Sequence, residues 1–318
     1  MVFKGCRTIY LTVFIMLAYT CTSRAGNVIT NETREWARKT LQEEKSLRTV
    51  ETKNSLAVLY FQNKTGQEEL DQLQKGFALM LITDLSSVKG MQVVERIKLQ
   101  ALVEEIGLGV SGLVEPNTAP RIGKLLQAQW LTGGNITGSQ QSKLRVRSDL
   151  LNVPAAKIVG QPASEGMLPE LFRIEKELLF EIIKLLNIKV TPEEEVRLRK
   201  PCSTNSKALF ALFTGVDASD HEEYEKAATL YNKALKDDPN VCLAGDALNE
   251  LHDLGLISEK KKSGGLLRSL RDSTSLTNQL TPKEEIRRKF TPNDVPTNTN
   301  IEVIFPPPPN PGNVGKPQ

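Results

Sequence analysis

The apolar and polar positions of this chain change their period several times between residues 53 and 258. The run LAVLYF, which follows Ser55, is short and rich in β-forming residues and predicts a buried strand. The run MQVVER, from Met91, predicts a second strand. Between the two, apolar residues recur every three or four positions and predict a helix with one apolar face. These helical positions are Leu70, Leu73, Phe77, Met80, Leu81 and Leu85. A strand, a helix and a strand in this order predict a right-handed crossover between parallel strands.

The next part of the chain predicts two more helices and then a run of short strands. One helix has its apolar face at Leu99, Leu102, Val103 and Ile106, and another begins at the capping residue Asn117. The segments WLTGGNITG, KLRVRSDLLNV and AKIVG then alternate apolar with polar residues between turns. This pattern predicts an antiparallel meander with one solvated face. A long helix follows, with its apolar positions at Leu168, Leu171, Ile174, Leu178, Ile182 and Leu185.

A boundary between two folded regions is predicted near residue 190. The sequence Thr191-Pro192-Glu193-Glu194 has the form of a helix-capping box with proline at the first helical position. From there to residue 258 the apolar pattern is helical throughout. The predicted fold is an α/β domain over residues 53–190, with a mixed sheet and helices packed on it, followed by a small all-α module over residues 191–258.

The two ends of the chain differ from this core. Residues 1–25 combine early basic residues, a short apolar stretch and small residues, a layout typical of a secretory signal peptide with cleavage after Ala25. The alternatives are an uncleaved anchor helix and lipidation at Cys21. Residues 26–52 predict a polar lead-in helix. Residues 259–318 end in IEVIFPPPPNPGNVGKPQ and predict a flexible, proline-rich tail.

Charge and histidine content narrow the classes of function. The formal net charge is +3, and cleavage of the signal would remove three basic residues and no acid, which leaves a neutral chain. Nothing in this balance favours a nucleic-acid partner. Because the only histidines are His221 and His252, the α/β region has no imidazole for a catalytic base or a metal ligand. We therefore expect no catalytic residues, no cofactor and no metal site.

Two glycine-containing motifs are candidates for a phosphate site. NKTG, from Asn63 to Gly66, lacks the leading glycine and the Gly-Lys-Ser/Thr order of a phosphate-binding loop, and predicts a turn between strand and helix. GGNITG, from Gly133 to Gly138, lies within a strand-like stretch, where its glycines predict a bulge or close backbone packing.

The order of these segments resembles the CsgG family of curli secretion and assembly proteins. The resemblance covers residues 53–190 and lies in LAVLYFQNKTG, in the VVER strand, in GKLL and in GGNITG; it extends to TolB amino-terminal-like envelope domains. It implies a non-catalytic scaffold. The meander connections here are short, and no pair of extra segments alternates as membrane strands do, so we do not expect a pore.

The helical region resembles a tetratricopeptide repeat. The residues that match the repeat signature are Gly215, Ala227, Tyr231, Ala234 and Pro239. Cys202 and Cys242 precede equivalent repeat helices, so the resemblance implies a disulfide between them, with two free buried thiols as the alternative. By repeat position, the concave side would carry a partner groove, for which simple core packing is the alternative. The groove residues would be Leu209, Leu212, Val216 and Ser219.

One and a half repeats cannot form a continuous core, because three or more are normally needed. We therefore expect these helices to lean on the α/β domain, to pack between subunits or to receive a partner. The sequence predicts an exported, non-enzymatic protein of the bacterial periplasm, or of the periplasmic face of the outer membrane. It would assemble with other envelope proteins, or with itself as a homo-oligomer. Its role would be in the secretion or assembly of an extracellular or surface polymer, as in curli. The alternative is a periplasmic sensor that binds a ligand or glycan.

Overall fold

The computed structural model of the chain describes residues 27–47, 53–109, 115 and 118–258. The chain divides into two compact units, Met1–Ser258 and Glu259–Gln318, and every described residue belongs to the first unit. Several predictions fall outside the described residues: the signal peptide, cleavage after Ala25, lipidation at Cys21, the helix cap Asn117 and the proline-rich tail 259–318.

The described residues form a seven-stranded mixed sheet with helices packed on it, which confirms the predicted fold class. The strands are β1 Ser55–Val58, β2 Gln62–Asn63, β3 Gln92–Val93, β4 Trp130–Gly138, β5 Leu144–Asn152, β6 Lys157–Gly160 and β7 Ala163–Gly166. The helices are α1 Asn31–Gln42, α2 Gln72–Leu85, α3 Arg96–Ile106, α4 Ala119–Leu125, α5 Leu171–Leu185, α6 Pro192–Leu198, α7 Ser206–Asp220, α8 Tyr224–Asp237 and α9 Ala244–Asp253.

The sheet runs in the order β3-β1-β4-β5-β6, while β2 also pairs with β4 and β7 also pairs with β5. Strand β1 is parallel to both β3 and β4, so the predicted strand-helix-strand crossover is present. Strands β4, β5, β6 and β7 pair in antiparallel fashion, as the meander pattern predicted. The sheet therefore has two ends, one at β3 and the other at β6.

Both predicted parallel strands are shorter than their apolar runs. Strand β1 ends at Val58, and the Phe61 N–H donates to the carbonyl of Gln74 instead of to the sheet (3.0 Å). The ring of Phe61 then packs edge-on against Phe77 of α2. In MQVVER, only Gln92 and Val93 form a strand, because α3 already begins at Arg96.

Along the first part of β5, buried and exposed side chains alternate. On β5, Leu144, Val146 and Ser148 are buried, while Arg145 and Arg147 between them are exposed. The buried face lies against α5: Val146 is paired with Ser164, whose hydroxyl donates to Glu177 of that helix. Helix α4 lies over part of the opposite face, and the rest of that face is solvated, as predicted.

A polar cluster lies between α2 and α5. The ammonium group of Lys176 contacts the carboxylates of both Asp84 and Glu175. Glu175 is 1% exposed, and its Oε1 has no hydrogen-bond partner among the described residues. Burial, together with the charge of Asp84, raises the pKa of Glu175 well above its ordinary value, against a smaller opposing effect of Lys176.

The free energy of unfolding should therefore depend on the ionisation of Glu175. A carboxyl whose pKa is raised in the folded state stabilises the fold fully below its unfolded pKa, and this stability is lost as the pH rises through the folded pKa. We expect Glu175→Gln to gain stability relative to the unmodified chain between pH 5 and pH 8. Urea unfolding at both pH values, followed by circular dichroism, measures this change.

Glu181→Gln is the matched control, because Glu181 lies on the same helix with its side chain 53% exposed. Its effect on stability should be the same at both pH values. If the effect of Glu175→Gln on stability did not change with pH, the pKa of Glu175 would not be raised in the folded state.

Candidate functional site

Helix α7 packs directly on α2 and so joins the helical region to the α/β region. A Cβ atom at Gly76 of α2 would lie 2.3 Å from the ring of Phe213, so the absence of a side chain allows the two helices to approach this closely. The structure therefore realises the first of the three predicted arrangements, in which the repeat-like helices lean on the α/β region. Both regions belong to the compact unit that ends at Ser258, and the boundary near residue 190 stays a prediction.

Four charged side chains lie where α7 packs on α2. Asp220, at the end of α7, accepts hydrogen bonds from Arg96 of α3 (2.9 Å) and from Lys75 of α2 (2.9 Å). Lys75 also donates to Asp217 (2.8 Å). The side chains of Arg96 and Asp220 are 3% and 1% exposed, so this ion pair lies almost entirely out of water.

The cluster extends to the start of the described chain. Arg96 also donates to the carbonyl of Asn27 (2.9 Å), and the N–H of Asn27 donates to Glu250 of α9 (2.6 Å). The hydroxyl of Tyr60 donates to Gln100 (2.7 Å). The start of the described chain and helices α2, α3, α7 and α9 thus share one set of polar contacts.

The electrostatics of this cluster favour a structural role. Burial raises the pKa of Tyr60 to about 12. Burial alone would lower the pKa of Arg96, but the nearby Asp220 carboxylate raises it above its usual range. The pKa of Lys75 is raised in the same way, against its own desolvation. These groups keep their charge state at neutral pH, whereas an acid-base catalyst works best with a pKa near that pH.

The helical pair α7–α8 contains the predicted repeat signature. A Cβ atom at Gly215 would lie 2.6 Å from the ring of Tyr231, and Ala227, Tyr231 and Ala234 are fully buried. Pro239 follows the end of α8 and is exposed. Small residues thus let the helices approach, as the signature implies, while the assignment to the tetratricopeptide family stays a prediction.

Cys202 and Cys242 are joined by a disulfide in the structure. Their Cα atoms are 4.9 Å apart, and the N–H of Cys242 donates to the carbonyl of Cys202 (3.1 Å). The bridge links residues 40 positions apart, on either side of α7 and α8. In the chain-entropy description, closing a loop of this length lowers the entropy of the unfolded chain and so stabilises the fold by about 3–4 kcal/mol.

The partner groove predicted on α7 is wrong. Leu209, Leu212 and Val216 are at most 1% exposed, and Ser219 is 3% exposed. Because α7 packs on α2, this face belongs to the core of the same chain. The alternative interpretation of these residues as core is therefore the correct one.

Strand β6 forms one open end of the sheet and exposes apolar side chains. Ile158 is 47% exposed and Val159 is 41% exposed, and on its far side β6 pairs with no strand of the described chain. Leu185 of α5, 38% exposed, lies against Gly160. A cavity of about 150 Å³ adjoins Ile158; its lining includes Leu131, Leu151, Pro120 and a single carboxylate, Asp149. The sequence predicted this strand but gave no sign that its outer side is uncovered.

A larger groove lies at the opposite end of the sheet, beside β3. Its volume is about 550 Å³, and its sides are lined by Trp36 of α1, by Glu43 directly after that helix and by Lys98 of α3. This volume is in the range of small-molecule sites, so the predicted alternative of a ligand or glycan sensor has a cavity of suitable size.

The NKTG turn is closed by its own hydrogen bonds. Lys64 N–H donates to the carbonyl of Ile136 (2.8 Å), Thr65 N–H to the side chain of Asn63 (3.0 Å), and Gln67 N–H to the hydroxyl of Thr65 (3.1 Å). With these donors occupied, the turn does not present a row of free N–H groups to a phosphate.

Two further features concern membranes and metals. Among the described helices, none combines the length and apolar character needed to cross a membrane. Within residues 27–47, 53–109 and 118–258, no three histidine, cysteine, aspartate or glutamate side chains are placed to hold a metal ion.

Part of the chain matches a known family. Residues 37–144 match the family of the curli production assembly/transport component CsgG, which supports the resemblance seen in the sequence. The match begins within α1 and ends at the first residue of β5, so it includes only part of the predicted lead-in helix and omits most of the meander. The resemblances to TolB and to tetratricopeptide repeats stay predictions, and no curated protein matches the chain.

Three solved structures share a limited likeness with this chain. The LpoB C-terminal domain from Salmonella enterica is 16% identical, with 45% of this chain and 98% of that chain covered and a TM-score of 0.31. Lipoprotein GNA1162 from Neisseria meningitidis is 12% identical, with coverages of 36% and 80% and a TM-score of 0.31. LpoB from Escherichia coli, solved by NMR, is 15% identical, with coverages of 42% and 66% and a TM-score of 0.30. Likeness at this level assigns neither function nor partner.

Proposed function

We propose that this chain is an exported, non-enzymatic protein of the bacterial cell envelope that assembles with other envelope proteins or with copies of itself. The observation that carries the proposal is the open, apolar strand β6 at the end of the sheet. The match of residues 37–144 to an assembly and transport component supports it. The finer role is in the secretion or assembly of a surface polymer.

The geometry of β6 suits recognition by strand addition. An unpaired edge offers backbone N–H and C=O groups to another extended segment, and neighbouring side chains give specificity. Here Ile158 and Val159 lie on the strand itself, and Leu185 adds apolar surface next to it. A partner strand would extend the sheet and cover these three side chains.

The buried charged side chains support a non-enzymatic role, because they pair with one another. Arg96 and Lys75 both bind Asp220, and Lys176 is held by Asp84 and Glu175. A catalytic group needs a free side chain at a surface cleft with a pKa suited to proton transfer. Both of these buried charge clusters serve instead to hold helices together.

The test places a photo-cross-linking amino acid at Lys157 in the full chain, expressed in intact cells. We expect defined cross-linked complexes, and we expect Val159→Lys to abolish them, since a charged side chain on an edge strand opposes strand pairing. Val196→Lys is the matched control, because Val196 is 65% exposed but lies on helix α6. It should leave the complexes unchanged.

Two differently tagged copies of the chain, expressed together, separate self-assembly from assembly with another protein. Complexes that contain both tags indicate a homo-oligomer, and mass spectrometry identifies any other partner. Capture of only abundant bulk envelope proteins, or of complexes equally strong with Val159→Lys, would overturn the proposal.

A further inference from the structure

The groove beside β3 is bordered by an open strand edge. The N–H groups of Gln92 and Val94 donate to the carbonyls of Asn54 (3.0 Å) and Leu56 (2.8 Å), which places both on the β1 side. Successive residues of a strand direct their backbone groups to opposite sides. The N–H and C=O of Val93 therefore point away from β1, to the side where no described strand pairs with β3.

The walls of the groove leave room for an extended segment next to Val93. Trp36 and Thr40 of α1 form one side, and the start of α3 forms another. Leu47, Val94 and Leu126 supply apolar surface within the groove. Trp36 is only half-buried, and tryptophan is the kind of side chain that dominates binding when a partner covers it.

The charges in the groove are balanced. Lys39 lies 4.0 Å from Glu43, and Lys98 lies 3.8 Å from Glu95. Lys98 also lies 5.9 Å from the centre of the Trp36 ring. Each lysine thus has an acidic neighbour in the same groove, so the site offers no excess charge for an anionic or cationic ligand.

We propose that this groove binds an extended, uncharged segment of another polypeptide, which pairs with Val93 as an added strand and covers Trp36. The proposal goes beyond assembly at β6, because it concerns the other end of the sheet and a separate set of residues. The open backbone groups of Val93 favour a peptide over a sugar, since an extended main chain supplies donor and acceptor at the spacing of a strand.

The experiment selects binders from a displayed library of linear random seven-residue peptides on the immobilised full chain. We expect the enriched sequences to be uncharged, with apolar residues at alternate positions. Binding of an enriched peptide is then measured by Trp36 fluorescence in a Trp130→Phe background, since Trp36 and Trp130 are the only tryptophans.

The control variants separate backbone pairing from side-chain packing. Val93→Pro removes the N–H that points into the groove, at an edge position where proline is tolerated, and should weaken binding about fivefold or more. Val93→Ala retains the N–H and should bind more tightly than Val93→Pro. The same peptide with methylated backbone nitrogens should lose binding to the unmodified chain.

Enrichment of strongly charged peptides, no enrichment, or binding equally strong to Val93→Pro would each overturn the proposal. Displacement of the peptide by a neutral oligosaccharide at lower concentration than the peptide itself would also overturn it, in favour of a glycan site. The result does not depend on the cross-linking at Lys157, so either proposal can fail while the other stands.

Discussion

Replacing Asp220 with asparagine will destabilise the folded chain by about 3–5 kcal/mol, because it leaves a buried guanidinium without its carboxylate. The Arg96 side chain is 3% exposed, so water cannot replace the lost carboxylate as its hydrogen-bond partner. Lys75, 13% exposed, loses one of its two carboxylate contacts at the same time. Urea unfolding at neutral pH, followed by circular dichroism, measures the loss.

Asp217→Asn is the matched control for this prediction. Asp217 binds the same lysine and lies one turn earlier on α7, but its side chain is 46% exposed. An exposed ion pair stabilises a protein by about 0–1 kcal/mol, so this variant should stay close to the unmodified chain. If the two variants lost equal stability, burial of the ion pair would not determine how much it stabilises the fold.

A double variant tests whether the loss of stability in Asp220→Asn comes from the unpaired charge of Arg96. In Arg96→Met with Asp220→Asn, both buried charges are gone, and the double variant should lose less stability than the sum of the two single variants. Additive losses would contradict direct coupling between Arg96 and Asp220.

The position of this cluster explains why the sequence did not reveal it. Asp220 lies in VDASDHEEYEK, where charged residues surround it and a solvated helix end is the natural expectation. Its partner Arg96 is 124 residues away. Burial of Asp220 depends on α7 docking on α2, which local periodicity cannot predict.

Local signals were reliable where neighbouring residues decide the structure. The capping box at Thr191 is present, with Thr191 accepting from the N–H of Glu194 and Glu194 accepting in return from that of Thr191. The alternation along β5 correctly separated buried from exposed residues. In both places the deciding contacts lie within a few residues or follow from the period of the strand.

The misplaced groove on α7 shows the opposite situation. In a long array of repeats, Leu209 and Leu212 would lie on a concave surface, but a short array must cover its apolar face by other means. Here α2 covers it, and Gly76 permits the close approach. The open edges at β6 and β3 were missed for a related reason, since only the strand order shows which strands lie at the ends of the sheet.

Gly134→Ala should destabilise the chain by about 3 kcal/mol or more, because the added methyl group would meet backbone on a central strand. A Cβ atom at this position would lie 1.8 Å from the carbonyl oxygen of Arg147 and 2.8 Å from the Cα of Ser148. Strand β4 pairs with β5 on one side and with β1 and β2 on the other, so it cannot move away without breaking hydrogen bonds. Thermal unfolding and urea unfolding both measure the loss.

Gly245→Ala provides the control for this exchange of glycine for alanine. Gly245 lies in the first turn of α9, and a Cβ atom there would meet nothing within 4 Å. Alanine favours the helix over glycine by up to about 1 kcal/mol, so this variant should be as stable as the unmodified chain or more so. Comparable losses in both variants would mean that the close approach of β4 and β5 is not what requires glycine at position 134.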